Sequence, residues 1–205
     1  MKKICVIGSG VMGSGIAAHM ANAGMDVLLL DMKQSGFGKK NSLAEDAVER
    51  MLKADPAPFM HKSYAKRIKV GNIEDDLADI KSYDWVIEVI VEKLEVKQSL
   101  YAQIDTHRGA NTIISSNTST IPLHNLIEGR SAGFQKHFLI THFFNPPRYM
   151  RLLELVCGSQ TDPAIKEKVW DFCDRALGKG VVVCNDTPGF IANRIGTYWL
   201  QTAMM

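Results

Sequence analysis

The sequence predicts an α/β protein built on a doubly wound, mostly parallel sheet. Two observations carry that expectation. Within the first 31 residues a glycine-rich turn stands between a short apolar run and a helical pattern. Along the rest of the 205 residues, short apolar runs alternate with helical patterns, as in a parallel sheet covered on both faces. An apolar fraction of 46% is enough to fill such a core.

Ile4–Ile7 form a run suited to a strand buried on both faces. Lys2 and Lys3 before it imitate the start of a secretion signal, but four apolar residues before Gly8 are too few. Met12, Ile16, Ala17 and Met20 then follow at helical spacing, and Gly24 supplies a left-handed helix end. Val27–Leu30 form the second strand, closed by Asp31. Residues 32–67 read as an excursion of one or two helices, with Leu43, Ala47, Val48, Met51 and Leu52 on one face. Further strands are expected at Ile68–Val70, Trp85–Val89, Ile113–Ser115, Phe138–Phe144, Leu152–Val156 and Val181–Cys184. Helices fit Lys93–His107, Asp162–Leu177 (Asp162 capping, Pro163 first) and Gly189 onward.

Gly8, Gly10 and Gly13 form GxGxxG after a strand and at the start of a helix. Gly8 permits the tight turn, Gly10 leaves room for a pyrophosphate, and Gly13 allows close helix packing. The helix N-terminus offers free N–H groups to the diphosphate. Asp31 can accept bonds from both ribose hydroxyls and would repel a 2′-phosphate. This is a Rossmann fingerprint in its full context, and it selects NAD over NADP. Gly15 is compatible with close packing.

Lys plus Arg number 24 against 22 Asp plus Glu, a balance that argues against a nucleic-acid binder. No apolar run reaches the ~18 residues of a membrane helix. Four dispersed cysteines (Cys5, Cys157, Cys173, Cys184), with no CxxC pair, fit a reduced, cytoplasmic compartment and no metal site. Charge is nonetheless segregated. Basic residues dominate from Met32 to Lys69 and acidic ones from Val70 to Asp105, as either a solvated face or a platform for a phosphate-bearing ligand.

Ligands of parallel sheets bind beyond the carboxyl ends of strands. Three polar segments fall there: Ser115–Thr120, Thr141–Leu155 and Asp186–Arg194. His142 and Glu154, on neighbouring runs, can form a base whose imidazole is oriented by a carboxylate. A core histidine beside an ordinary edge carboxylate fits the same spacing.

The motifs GSGVMGSGIA, VEKLEVK, SSNTST, THFFNPP and DTPGFIANR, in this order, resemble the NAD-binding domain of the L-3-hydroxyacyl-CoA dehydrogenases of fatty-acid β-oxidation. The resemblance runs from about Lys2 to Arg194, and is nearest to long bacterial proteins that join this enzyme to an enoyl-CoA hydratase. It implies His142 as catalytic base with Glu154 as its partner. It implies Ser119 and Asn145 on the substrate oxygen, and Asn193 near the pair. Glu92 and Lys97 fall near the cofactor, with Gly8, Gly10, Gly13 and Asp31 as the fingerprint. It further implies an acyl-CoA substrate and a homodimer made through a C-terminal all-helical domain. On that reading residues 1–188 are the NAD-binding domain, and 189–205 begin a linker helix to a helical domain absent from this sequence. The apolar run Gly196–Met205 also fits a terminal helix docked on its own domain or on a second subunit. The family's CoA clamp does not align clearly with the 32–67 excursion, so no CoA-binding residue is assigned there. A dehydrogenase of free hydroxy or sugar acids, and a non-catalytic NAD-binding module, are the competing readings.

Overall fold

The structure, a computed structural model, describes residues 1–35 and 39–204. It opens with β1 (Lys3–Ile7), α1 (Val11–Asn22) and β2 (Asp26–Asp31), then α2 (Ser42–Lys53), a 3₁₀ turn over Lys62–Arg67 and β3 (Ile68–Asn72). Next come α3 (Ile73–Asp76), a 3₁₀ turn over Leu77–Ser82, β4 (Trp85–Glu88), α4 (Leu94–His107) and β5 (Ile113–Ser116). The chain continues through α5 (Leu123–Leu126), α6 (Ala132–Lys136), β6 (Phe138–Phe143), β7 (Leu152–Cys157), α7 (Pro163–Arg175), β8 (Gly180–Cys184) and α8 (Ala192–Ala203). Each apolar run read as a strand is one, with small shifts at the ends. Among the described residues the 32–67 excursion, read as one or two helices, holds one α-helix and the 3₁₀ turn. The short helices α3, α5 and α6 span less than two turns each, too little for a periodicity to show.

The strands form one sheet in the order β3-β2-β1-β4-β5-β6-β7-β8. Neighbours run parallel except β6 and β7. The connection between those two, residues 144–151, is too short for the crossover a parallel pair needs, so the strands lie antiparallel. The order reverses between β1 and β4, which opens a crevice at their carboxyl ends.

Alternation along the central strands feeds two cores. Ile4, Val6, Val27, Leu29, Trp85 and Ile87 join Ile16, Ala17, Met20 and Met51 on one face. Cys5, Ile7, Leu28, Leu30 and Val86 join Leu100, Tyr101, Ile104 and Phe134 on the other. The two-sided burial expected of the first runs follows from this double cover. Gly24 closes α1 at φ 86°. The Asp162 carboxylate accepts from the Ala164 N–H at 2.9 Å and caps α7, with Pro163 in its first turn.

The segregated charges meet in space. Lys33 reaches Glu74 and Asp75, Lys40 reaches Asp75, and Lys69 reaches Asp79. These ion pairs join the β2–α2 connection and β3 to the acidic segment after β3. All four cysteines are free thiols. No helix among the described residues is long and apolar enough to cross a membrane.

His19 lies buried on α1, where its Nε2–H donates to the Leu177 carbonyl at 3.2 Å. Its Nδ1 is buried without a partner among the described residues. Burial, with the nearby charges of Lys179 and Arg148, lowers its pKa to about 4, and the Leu177 bond offsets only part of this. The folded protein therefore resists protonating a group that the unfolded chain protonates near pH 6.5. The associated stability is complete above pH 6.5 and is lost progressively as the pH falls towards 4. Thermal unfolding should show a loss on the order of 3 kcal/mol across that window, and His19→Leu should flatten it. An unchanged acid limb in that variant would refute the assignment.

Candidate active site

The glycine turn fills the crevice between β1 and β4. Gly8 has φ 107°, and a Cβ there would collide with the Val89 carbonyl. A Cβ on Gly13 would overlap the Gly8 carbonyl oxygen. Gly10 differs: its φ of −63° suits any residue, and nothing lies within 4 Å of its Cβ position. Gly8 and Gly13 are thus required by the protein's own packing, whereas Gly10 keeps open a space that a ligand can enter. No side chain caps α1 above it, so the first N–H groups of the helix face that space. A cleft of about 910 Å³ extends from here, walled by Gly8, Gly10, Asp31, Val89, Glu92, Asn117 and Ser119. Asp31 stands at its far wall. One carboxylate oxygen accepts from the Ser9 N–H (2.6 Å) and hydroxyl (2.5 Å), the other from the Met32 N–H (2.7 Å). The ribose ligand expected from the sequence is therefore turned onto the glycine loop.

Beneath the cleft lies a polar network centred on Glu88, which the sequence reading missed. This carboxylate is fully buried at the end of β4. It accepts from Lys97 Nζ (2.6 Å), the Ile90 N–H (2.8 Å), the Tyr101 hydroxyl (2.5 Å) and the Ser116 hydroxyl (2.6 Å). Burial and the adjacent Glu88 push the Tyr101 phenol well above its usual range. Lys97, also buried, reaches Glu92 at 3.2 Å. Glu92 in turn accepts from the Thr118 hydroxyl, the Ser119 N–H (3.3 Å) and the Thr120 hydroxyl (3.2 Å). Burial opposes the charge of Glu92, yet the Thr118 hydroxyl, Lys97 and the Ser119 N–H outweigh it and hold the carboxyl below its ordinary value. Lys97 and Glu92 both border the cleft, but the ammonium is wholly engaged by the two carboxylates and by the Ile90 carbonyl at 3.5 Å. The signal for Glu88 was present: it closes an apolar run just as Asp31 does.

The antiparallel register places His142 opposite Glu154. Directly opposed side chains lie on one face with Cβ atoms ~5 Å apart, and here His142 Nδ1 lies 2.8 Å from Glu154 Oε2. The pair is buried, at 8% and 1% exposure. Glu154 Oε1 accepts from the Ile191 (3.0 Å) and Ala192 (2.8 Å) N–H groups at the start of α8. The left-handed Gly189 (φ 77°) and Phe190 (φ 45°) turn the chain so that these donors point at the carboxylate. The α8 helix starts after this turn, not at Gly189 as its sequence had predicted. Phe144 and Phe190 flank the imidazole, with centroids at 4.5 and 6.0 Å. Burial and the nearby Glu154 raise the Cys184 thiol to about 11.

Two bonds draw Ser119 and Asn193 towards this pair. The Phe143 N–H donates to Asn117 Oδ1 at 2.9 Å, tying the loop that bears Ser119 to the strand that bears His142. Asn193 Nδ2 lies 3.5 Å from the Ser119 carbonyl oxygen. Asn193 is exposed in the first turn of α8, so the packing role that a mid-helix asparagine would have does not apply. Asn145 stands exposed two residues beyond β6, on a second cleft of about 210 Å³ between α1, α2 and the β6–β7 turn.

Residues 3–187 match the family model described as "3-hydroxyacyl-CoA dehydrogenase, NAD binding domain". The chain belongs to the 3-hydroxyacyl-CoA dehydrogenase family. Its relatives include a probable 3-hydroxyacyl-CoA dehydrogenase of Deinococcus radiodurans, 52% identical over all of this chain and 59% of that protein. A putative fatty acid oxidation complex trifunctional enzyme of Rickettsia felis is 49% identical over 98% of the chain and 28% of that protein. The (S)-3-hydroxybutyryl-CoA dehydrogenase PaaH1 of Ralstonia eutropha superposes with a TM-score of 0.81 at 32% identity, over 99% of this chain and 70% of that one. The chain thus spans less than two thirds of each of these two curated relatives. Within the family the cofactor of this domain is NAD, and the open space at Gly10 fits its pyrophosphate.

The contrast between the glycines is testable. Gly10→Ala should melt like the parent yet lose at least ~10-fold in NADH affinity, because the new methyl meets only the cofactor. Gly13→Ala should instead lower stability by about 1–3 kcal/mol through overpacking. Calorimetric titration and thermal unfolding of both variants check this; equal NADH binding by Gly10→Ala would contradict it.

Proposed function

We propose that the protein oxidises the 3-hydroxyl of an L-3-hydroxyacyl-CoA to the 3-ketoacyl-CoA, with NAD as acceptor, in fatty-acid β-oxidation. The observation that carries this reading is the buried 2.8 Å contact between His142 and Glu154 at the sheet edge that also bears the glycine turn. With Nδ1–H donated to Glu154, Nε2 is left as the acceptor for the substrate hydroxyl proton. As His142 takes that proton, Glu154 stabilises the imidazolium, its own rotation fixed by the two N–H groups of α8. Ser119 and Asn145 hold the oxygen as it becomes a ketone, and Asn193 braces the Ser119 loop. NAD, when bound, would accept the hydride that leaves C3 as the hydroxyl proton goes to His142. Gly10 and Asp31 would meet it, Gly8 and Gly13 shape the turn that receives it, and Lys97 positions Glu92 at the cleft wall.

The domain reading is residues 1–188 for NAD binding and 189–205 as the start of a linker helix to a helical dimerisation domain. The named activities of the relatives support an acyl-CoA substrate, and the trifunctional relative supports a fused enoyl-CoA hydratase. The free thiols suit a cytoplasmic setting.

His142→Ala should lower turnover of acetoacetyl-CoA with NADH by at least ~10²-fold while leaving NADH affinity unchanged. Glu154→Gln should reduce kcat by about 10-fold to 10²-fold and still fold. Steady-state kinetics with parallel NADH titrations test both, and full activity of His142→Ala would overturn the assignment.

A further inference from the structure

The turn between β6 and β7 rests on a buried ammonium that the proposed chemistry does not use. Lys179, one residue before β8, is 3% exposed. Its Nζ donates to the Met150 carbonyl oxygen at 2.8 Å and to that of Pro147, and lies 5.7 Å from the centre of the Phe143 ring. No carboxylate among the described residues pairs with it; burial lowers its pKa to about 8, opposed only by Cys173 of α7. The other titratable group beside it is His19 of α1, which feels the charges of both Lys179 and Arg148. A desolvated cation without a counter-charge works against folding. What the ammonium provides, and a hydrocarbon of the same size does not, is two directed bonds.

Those bonds hold both limbs of the turn. On its outer side Pro147 packs against Gly15 of α1, where a Cβ would stand 2.9 Å from Pro147 Cδ. Arg148 Nη1 donates to the Ala57 and Phe59 carbonyls (2.5 and 2.9 Å), and the Tyr149 hydroxyl to Ala57 (2.9 Å). Residues 145–149 wall the second cleft, and none of them borders the NAD cleft. We propose that Lys179 is a positioning residue for the substrate side of the site: it fixes the β6–β7 turn, and with it Asn145 and the second cleft, without a part in NAD binding. The inference rests on the acyl-CoA reading above.

The test is steady-state kinetics of the intact protein on acetoacetyl-CoA with NADH, beside NADH titrations, for Lys179→Met, Lys179→Gln and Lys179→Arg. Misplacing the turn should raise the acetoacetyl-CoA KM of Lys179→Met about tenfold, with a smaller change in kcat. NADH affinity should stay within about twofold, as no residue of the turn borders the NAD cleft. Lys179→Gln, with a shorter donor, should show the same split, and Lys179→Arg, which keeps cationic donors, should recover most of the KM. An unmoved KM in folded Lys179→Met, a KM and NADH Kd that rise together, or loss of folded protein in all three variants would overturn the inference. A parent protein inert on acetoacetyl-CoA would overturn the functional reading itself, whereas an active parent with an unmoved Lys179→Met overturns this inference alone.

Discussion

The contact between His142 and Glu154 exists because one strand reverses. Through β6 the parallel strands deliver their carboxyl ends to one edge of the sheet. Glu154 lies near the start of β7, so a parallel β7 would leave it at the opposite edge, a strand length away. The short β6–β7 connection forbids that arrangement, and the antiparallel register sets imidazole and carboxylate face to face. A slip of one residue would turn Glu154 to the other face of the sheet. Leu153 and Leu155, buried on the opposite side within the first core, hold the register against such a slip.

A buried carboxylate is tolerable only when its oxygens are satisfied. Glu88 and Glu154 meet that requirement differently. Glu88 gathers four donors from the loop after β4, from α4 and from β5, and serves as a joint between elements. Through Lys97 and Glu92 this joint extends to the loop that carries Ser119. Glu154 takes two donors from α8 and keeps its second oxygen for the imidazole. The floor of the cofactor cleft is therefore a hydrogen-bonded scaffold, while the neighbouring pair is joined through Nδ1 of the ring.

Much of this was legible in the residues. The β1–α1–β2 unit announced itself because apolar runs, glycine spacing and a terminal acid all agreed. The eight strands followed from runs of apolar residues, since sheets buried on both faces write continuous runs. Long-range pairing was not legible. Gly15 looked like an ordinary helix glycine because its neighbour, Pro147, lies more than a hundred residues away. The pairing of Lys97 with Glu88 was hidden in the same way, since nothing in the sequence joins the two. The charge segregation between residues 32 and 105 left two meanings open, and part of it resolves into ion pairs around Asp75 and Asp79. Backbone strain was equally hidden, for nothing in PGFIAN marks Phe190 as left-handed.

That left-handed residue has a mechanical corollary. Glu154 is a bridge with one foot on the imidazole and the other on the peptide groups that launch α8. A few degrees of tilt in that helix would reach the ring through a single side chain, with no slack between. A load on the outer flank of α8, where Ile195, Tyr198 and Trp199 lie bare, is thereby passed on to the orientation of the imidazole.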